Sequence, residues 1–262
     1  GRLYLASYFP GEWASRDGAL ATPDEVYAQA SGELAALILR WPCEAIYGLR
    51  RLARLGDVDG LIAGEIDRLS HPAPPPEGWR YLWFVGPAEI YRPALAPGRK
   101  PAIACHTRHD AGLLQKDLSL PLRPDTCLRW AWRVDALPSP VREDLLATHD
   151  YLSIAVEFDD GQDITYYWSA ELPKGTAYRC PIPSWTGRET HVVVRSGAQG
   201  LGEWQSEQRN LFEDYQAFIG HPAPAHIVRV WLIAVSLFQR REGRCEYAGI
   251  ELLSGGETFP VE

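Results

Sequence analysis

Apolar and polar positions along the chain change rhythm near Gly78. Before it, apolar side chains recur close to the helical period: Val26, Ala30, Leu34, Leu37 and Ile38, then Ile46, Leu49, Leu52 and Leu55. Thr22-Pro23-Asp24-Glu25 is a helix start, with Thr22 as N-cap, proline at the first helical position and acids in the first turn. Pro42 interrupts the first apolar stripe and Gly56 ends the second. A third short helix is expected over residues 58–69. HPAPPPEG, residues 71–78, reads as a stiff connector, because consecutive prolines favour extended polyproline II.

Beyond the connector the period becomes two. WRYLWFV, AEIYRPAL, PAIACHT, LRWAWRV, YLSIAVEF, ITYYWSA, HVVVRSG and IVRVWLIAVSL are candidate strands, and EYAGIELL closes the series. Turn signals separate them: Ala96-Pro97-Gly98, Asp159-Asp160-Gly161 and Pro173-Lys174-Gly175, of which DDG is a strong hairpin signal. One helical candidate lies within 208–220, with an irregular crossover as the alternative. Repeated strands without intervening helices predict a mainly β fold, an antiparallel jelly-roll-like β-sandwich. The expected organisation is a helical N-terminal segment over 1–70, the proline-rich connector over 71–78 and a β-sandwich domain over 79–262.

Composition sharpens this picture. Ten Trp, twelve Tyr, twenty-one Pro and twenty-three Gly in 262 residues suit a turn-rich sandwich with aromatic faces better than a helical bundle. A formal charge of −8 argues against nucleic acid, whose phosphates need a basic stripe. Arg50, Arg51 and Arg54 read as a solvated helix face. No apolar run reaches the roughly 18 residues needed to span a bilayer, and GRLYLASYFPGEW lacks the pattern of an export signal. Five scattered cysteines, Cys43, Cys105, Cys127, Cys180 and Cys245, give neither a zinc spacing nor a disulfide framework and read as buried thiols. A cytoplasmic location, no membrane partner and no cofactor are therefore expected.

Candidate chemistry concentrates around Leu128 to Ser169. In YLSIAVEF the residues Leu152, Ile154, Val156 and Phe158 share the expected core face, and Tyr151, Ser153, Ala155 and Glu157 share the other. A ligand-facing sheet surface would then carry Glu157, the aromatic pair Tyr166 and Trp168, Tyr151 and Arg195. His149-Asp150 is the sharpest catalytic candidate, since a nearby carboxylate orients an imidazole and raises its basicity. Adjacent strand residues point to opposite faces, so this dyad requires a turn at that place. In His106-Thr107-Arg108-His109-Asp110, His106 is a further proton carrier and Arg108 an anion anchor. Two histidines three apart on a strand diverge, so no metal site is expected there. Asp159, Asp160 and Asp163 read as a solvated hairpin tip. The nucleophile elbow and the phosphate-binding glycine loop are both missing from the sequence.

The order LRWAWRVD, HDYLSIAVEFDD, TYYWSAELPKGT, VVVRSGAQGLGEWQSEQRNLFEDYQAFIG and a final apolar strand resembles the bacterial family of domain of unknown function 3047, from about Trp79 to Leu253. The resemblance implies a β-sandwich and carries no activity with it. Family members tend to have paired aspartates where this chain has His149-Asp150, and an Asp-rich turn where it reads SLFQRREGRC. Two functions follow as expectations. One is a cofactor-independent enzyme performing elimination, hydration or isomerisation on a small organic molecule. In it His149 or His106 moves protons, Asp150 or Glu157 assists, Tyr166 and Trp168 line the pocket, and Arg195 or Arg108 holds an oxyanion. The other is a carbohydrate- or metabolite-binding module on the same face. In both, the helical segment is a candidate element for homo-oligomerisation.

Overall fold

The computed structural model describes residues 23–33, 35, 38, 40–82 and 88–261. Thr22, Leu34, Leu37 and the WFV end of the first candidate strand lie outside them. The chain divides into two compact units, one holding residues 29–74 and the other residues 23–28 with 75–261.

Three helices form where the apolar stripes run, but two boundaries move. The first, α1 (Asp24–Ala28), is one short piece, and Ala30 and Ile38 lie outside any helix. Ser31-Gly32 follows it, and Gly32 takes φ +143, a conformation a helix does not tolerate. The second, α2 (Ala45–Ala53), buries Leu49. The third, α3 (Leu61–Ser70), starts three residues later than expected, because the Asp57 carboxylate accepts hydrogen bonds from the backbone N–H groups of Ile62 (3.0 Å) and Ala63 (2.7 Å).

The larger unit is a β-sandwich. Its strands are β1 (Arg80–Tyr81), β2 (Tyr91–Ala96), β3 (Lys100–Arg108), β4 (Ala111–Pro121), β5 (Cys127–Ala136), β6 (Tyr151–Phe158) and β7 (Asp163–Ser169). They continue with β8 (Ala177–Arg179), β9 (Glu189–Ser196), β10 (Trp204–Asn210), β11 (His226–Val235), β12 (Glu242–Ser254) and β13 (Glu257–Pro260). A seven-stranded sheet runs β1-β4-β11-β6-β7-β9-β8, and a six-stranded sheet runs β10-β5-β12-β3-β2 with β13 beside β12. All pairs are antiparallel except β7 with β9, which the long crossover 170–188 makes parallel. The architecture is jelly-roll-like. β4, β8, β10 and β13 add to the strands expected from the sequence. β10 reads WQSEQRN and carries no apolar alternation, as befits an edge. The helix expected within 208–220 is α4 (Leu211–Phe218), which starts where Asn210 Oδ1 accepts from Glu213 N–H at 3.0 Å.

The inner faces meet in one core. Leu152, Ile154, Val156 and Phe158 of β6 and Ile164, Tyr166 and Trp168 of β7 pack against Leu128, Trp130, Trp132 and Val134 of β5 and Tyr247 and Leu252 of β12. Trp130 stacks on Tyr166 with ring centres 5.7 Å apart, and Trp132 tilts over Trp168 at 5.8 Å. Burial of each such side chain stabilises by roughly 1.5–3 kcal/mol. The outer face of the seven-stranded sheet is buried as well. Tyr151, Ala155, Tyr167, Val193, Trp231 and Ile233 are covered by Leu172, Cys180, Ile182 and Trp185 of the 170–188 crossover.

Candidate functional site

Two places in the β-sandwich gather chemistry-bearing side chains, one sealed and one open. The sealed one lies on the outer face of the seven-stranded sheet. Glu189 and His191 are two apart on β9 and share that face, as strand geometry requires. His149 reaches them from the turn before β6, Cys180 from the end of β8, and Tyr151, Thr165 and Asp163 from β6 and β7. His149 Nδ1 lies 2.6 Å from the Glu143 carbonyl and donates to it, which leaves Nε2 as a lone pair 3.4 Å from Cys180 Sγ. His191 Nε2 is 3.3 Å from Glu189 Oε1, out of hydrogen-bond alignment, and neither ring nitrogen of this fully buried imidazole has a hydrogen-bond partner. Glu189 Oε1 accepts from Thr165 Oγ1 at 2.9 Å and from the Tyr151 hydroxyl at 3.4 Å. The Tyr178 ring stacks on His191, with planes 9° apart.

Burial governs protonation here. It drives the His149 imidazole down to about 3, helped by the facing His191, so His149 is neutral at pH 7. It pushes the Cys180 thiol well up, with the Glu189 carboxylate adding to the effect. Burial also raises Asp163, and again Glu189 adds to it. For Glu189 burial acts upward too, but the facing His191 outweighs it and holds the carboxyl below the usual carboxylate range. Among the described residues, His149, Cys180 and His191 are the metal-ligand types whose donor atoms all lie within 4.8 Å of one another.

The open place is a groove of about 260 Å³ on the six-stranded sheet, with Glu89, Arg92, His106, Asp135, Arg244 and Glu246 around it. Register explains the depression. Arg92, Ala104, Glu246 and Arg133 are cross-strand partners in one row, and Ala104 is its one small member. Arg133 is held by Asp135 at 3.2 Å and Glu246 at 3.3 Å, and Arg244 by Glu242 at 3.0 Å. Arg92 makes no ion pair or side-chain hydrogen bond with the described residues and is exposed. Glu89 takes φ +57, a left-handed conformation that a non-glycine residue adopts at a cost of order 1–3 kcal/mol.

The residues anticipated from sequence separate between these places and the core. His149 and Tyr151 do come together, with ring centres 4.8 Å apart. His149 and Asp150 do not form a dyad, because consecutive side chains diverge. The Asp150 carboxylate instead accepts the backbone N–H groups of Phe238 (3.0 Å) and Gln239 (2.7 Å). Glu157 is on the outer face as expected but is bound into ion pairs, with Arg229 at 2.6 Å and Arg188 at 3.3 Å. Tyr166 and Trp168 are not on that face. They point into the core, where they are at most 1% exposed, and Tyr166 donates to Asp214 at 2.7 Å. Arg195 follows them, because a β-bulge between Val193 and Arg195 shifts it opposite Trp168. There it lies over the Trp168 ring at 5.4 Å and pairs with Glu207. His106 is exposed at the groove, its Nε2 3.1 Å from Glu242 Oε1. Arg108 is exposed at the end of β3, opposite Glu242 in register. His109 and Asp110 turn away into the β3–β4 hairpin, His109 at φ +54.

The sequence marks Cys180 only as one of five buried thiols and gives Glu143, Glu189 and His191 no role. Glu-Thr-His on a strand was the available signal, since alternate residues share a face. Nothing local ties Cys180 or Glu143 to it, because the crossover and the 139–150 turn bring them in from a distance.

The sequence, the two sheets and the polar groups enclosed on one of them define a β-sandwich with a single long parallel crossover. The chain belongs to the family described as "Protein of unknown function (DUF3047)", whose model matches residues 77–251. Among curated proteins no sequence match is found. Solved structures similar to it include TmCBM61 in complex with β-1,4-galactotriose (9% identity, TM-score 0.32, 68% of this chain and 88% of that one). Another is the xyloglucanase domain of NopAA from Sinorhizobium fredii in complex with cellobiose (6%, 0.39, 63% and 87%). A third is the Trichoderma harzianum endoglucanase 3 from family GH12 (10%, 0.36, 68% and 92%). The fold assignment rests on the two sheets themselves.

Proposed function

We propose that this protein binds a small, hydroxyl-rich organic molecule, or one unit of a glycan, in the groove over Ala104. The observation that carries this reading is the Arg92 guanidinium, without an ion pair among the described residues, at the rim of a depression that also presents Glu89, Asp135, Glu246 and His106. Planar donors and acceptors around a small concavity match the alternating hydroxyls of such a ligand. At about 260 Å³ the groove falls below the ~300–1,000 Å³ typical of drug-sized ligands, which favours a single small unit.

A catalytic version of this reading is supported by His106 and Glu242, whose 3.1 Å contact is that of an imidazole oriented by a carboxylate. Lyase, hydratase or isomerase chemistry would then belong to His106 rather than to His149, which the crossover seals off. Self-association through the helical segment is part of the proposal, supported by the exposed Tyr47, Leu55, Val58 and Leu61. So is a cytoplasmic setting, supported by Cys105 and Cys245, which face each other in register as free thiols.

Isothermal titration of the full chain with hexoses, hexuronates and β-linked di- and trisaccharides tests the groove. Binding by the wild type that disappears in Ala104→Phe, weakens about tenfold in Arg92→Met and survives His106→Gln is the expected pattern. A ligand bound equally well by Ala104→Phe places the site elsewhere and overturns the reading. Loss of turnover with retained binding in His106→Gln would establish the catalytic version.

A further inference from the structure

We propose that His149, Cys180 and His191, with Glu189 as fourth donor, form a structural zinc centre buried beneath the crossover. Two of the donor separations already match a tetrahedral site. Bond lengths of about 2.0–2.3 Å place neighbouring ligand atoms roughly 3.3–3.6 Å apart. His149 Nε2 and Cys180 Sγ are separated by 3.4 Å, and His191 Nε2 and Glu189 Oε1 by 3.3 Å. The nitrogen and sulfur donors of the three residues all fall within 4.8 Å, so closure onto one ion needs side-chain shifts of about 1 Å.

Three further observations point the same way. His191 is fully buried and neither ring nitrogen makes an aligned hydrogen bond, Nε2 having only the 3.3 Å contact to Glu189, a costly arrangement that coordination through one of them resolves. The supporting hydrogen bonds resemble those of metal ligands: His149 Nδ1–H donates to the Glu143 carbonyl, and Thr165 and Tyr151 donate to the Glu189 carboxylate. Charge also balances. A Cys180 thiolate and a Glu189 carboxylate offset the two positive charges of the ion, and the two neutral imidazoles add none, so a neutral group is buried. Two nitrogens, one sulfur and one oxygen are donors that zinc accepts.

Binding converts the Cys180 thiol to a zinc thiolate and releases its proton to solvent, with no change in oxidation state. All four positions are filled by protein and the site is sealed, so the ion is structural and holds no substrate. It pins the 139–150 turn and the 170–188 crossover to β9.

The test is a titration of EDTA-treated full-length protein with Co²⁺, read by absorbance. Uptake of one equivalent is expected, with a thiolate-to-cobalt charge-transfer band that Zn²⁺ abolishes by displacement. Cys180→Ser should lose the band and weaken Co²⁺ binding at least about 100-fold, whereas Cys43→Ser, an exposed thiol in the helical unit, should leave both unchanged. X-ray absorption of the wild-type cobalt protein needs no variant and should report one sulfur with nitrogen and oxygen neighbours. No uptake by the wild type, a sulfur-free shell, or a band that survives Cys180→Ser would each overturn the proposal.

Discussion

Replacing Glu157 by Gln should destabilise the β-sandwich by about 2 kcal/mol and leave the groove untouched. Glu157 is the centre of an ion ladder along one end of the seven-stranded sheet. Its Oε2 accepts from Arg229 Nη1 at 2.6 Å and Trp231 Nε1 at 3.1 Å, and its Oε1 from Arg188 Nη2 at 3.3 Å. Arg229 continues to Asp117 at 2.6 Å, and Asp117 to Arg80 at 2.6 Å. Register dictates the ladder, since Arg229 is the cross-strand partner of both Glu157 and Asp117. Breaking a fully buried pair costs about 3–5 kcal/mol. Here Glu157 is 8% exposed but Arg188 and Arg229 are 19% and 27% exposed, so solvent screens part of the loss. Gln retains one acceptor of the same shape, which brings the figure to about 2 kcal/mol. For a unit of this size that is a fall in Tm of about 4–8 °C. Urea unfolding followed by tryptophan fluorescence would measure it, with an unchanged m-value. A loss below about 0.5 kcal/mol would refute the ladder as a stabilising device. Loss of ligand binding without loss of stability would return Glu157 to the list of binding residues.

Two other substitutions test where sequence-predicted site residues went. Tyr166→Phe removes the buried hydroxyl donor to Asp214 and should cost about 1–3 kcal/mol in chemical denaturation, with no effect on groove binding. Asp150→Ala leaves the Phe238 and Gln239 N–H groups without their acceptor, so hydrogen exchange at these two amides should accelerate and stability should drop by about 2–4 kcal/mol. Unchanged exchange at both amides would show that Asp150 does not hold the β11–β12 connection.

Much of the sandwich was legible because it is written in local alternation. The β6 core face, the DDG hairpin and the helix after Asn210 all follow from spacing and turn chemistry within a few residues. What failed depended on events far along the chain. Tyr166 and Trp168 obey the same period of two whichever face is inward, and only packing against Trp130 and Trp132 decides it. Arg195 changed sides through a one-residue bulge that has no sequence mark. The outer face of β6, β7 and β9 reads from sequence as an open, ligand-facing surface because its polar residues alternate correctly. The 170–188 crossover covers it, and a loop's resting place is set by tertiary contact rather than by its own composition. β10 escaped notice for the opposite reason, since an edge strand needs no apolar face.

The borders of the two sheets bear on whether a second chain could extend them. β8, at one end of the seven-stranded sheet, is three residues long. β10 turns Glu207 and Arg209 inward into ion pairs with Arg195 and Asp214, and β2 carries Pro93, which has no N–H to offer a neighbour. Such borders give a second chain few free backbone groups to pair with and resist growth of fibrils by strand addition. Among the described residues, the sheet borders therefore lack the long, flat run of free backbone groups from which strand-by-strand growth starts.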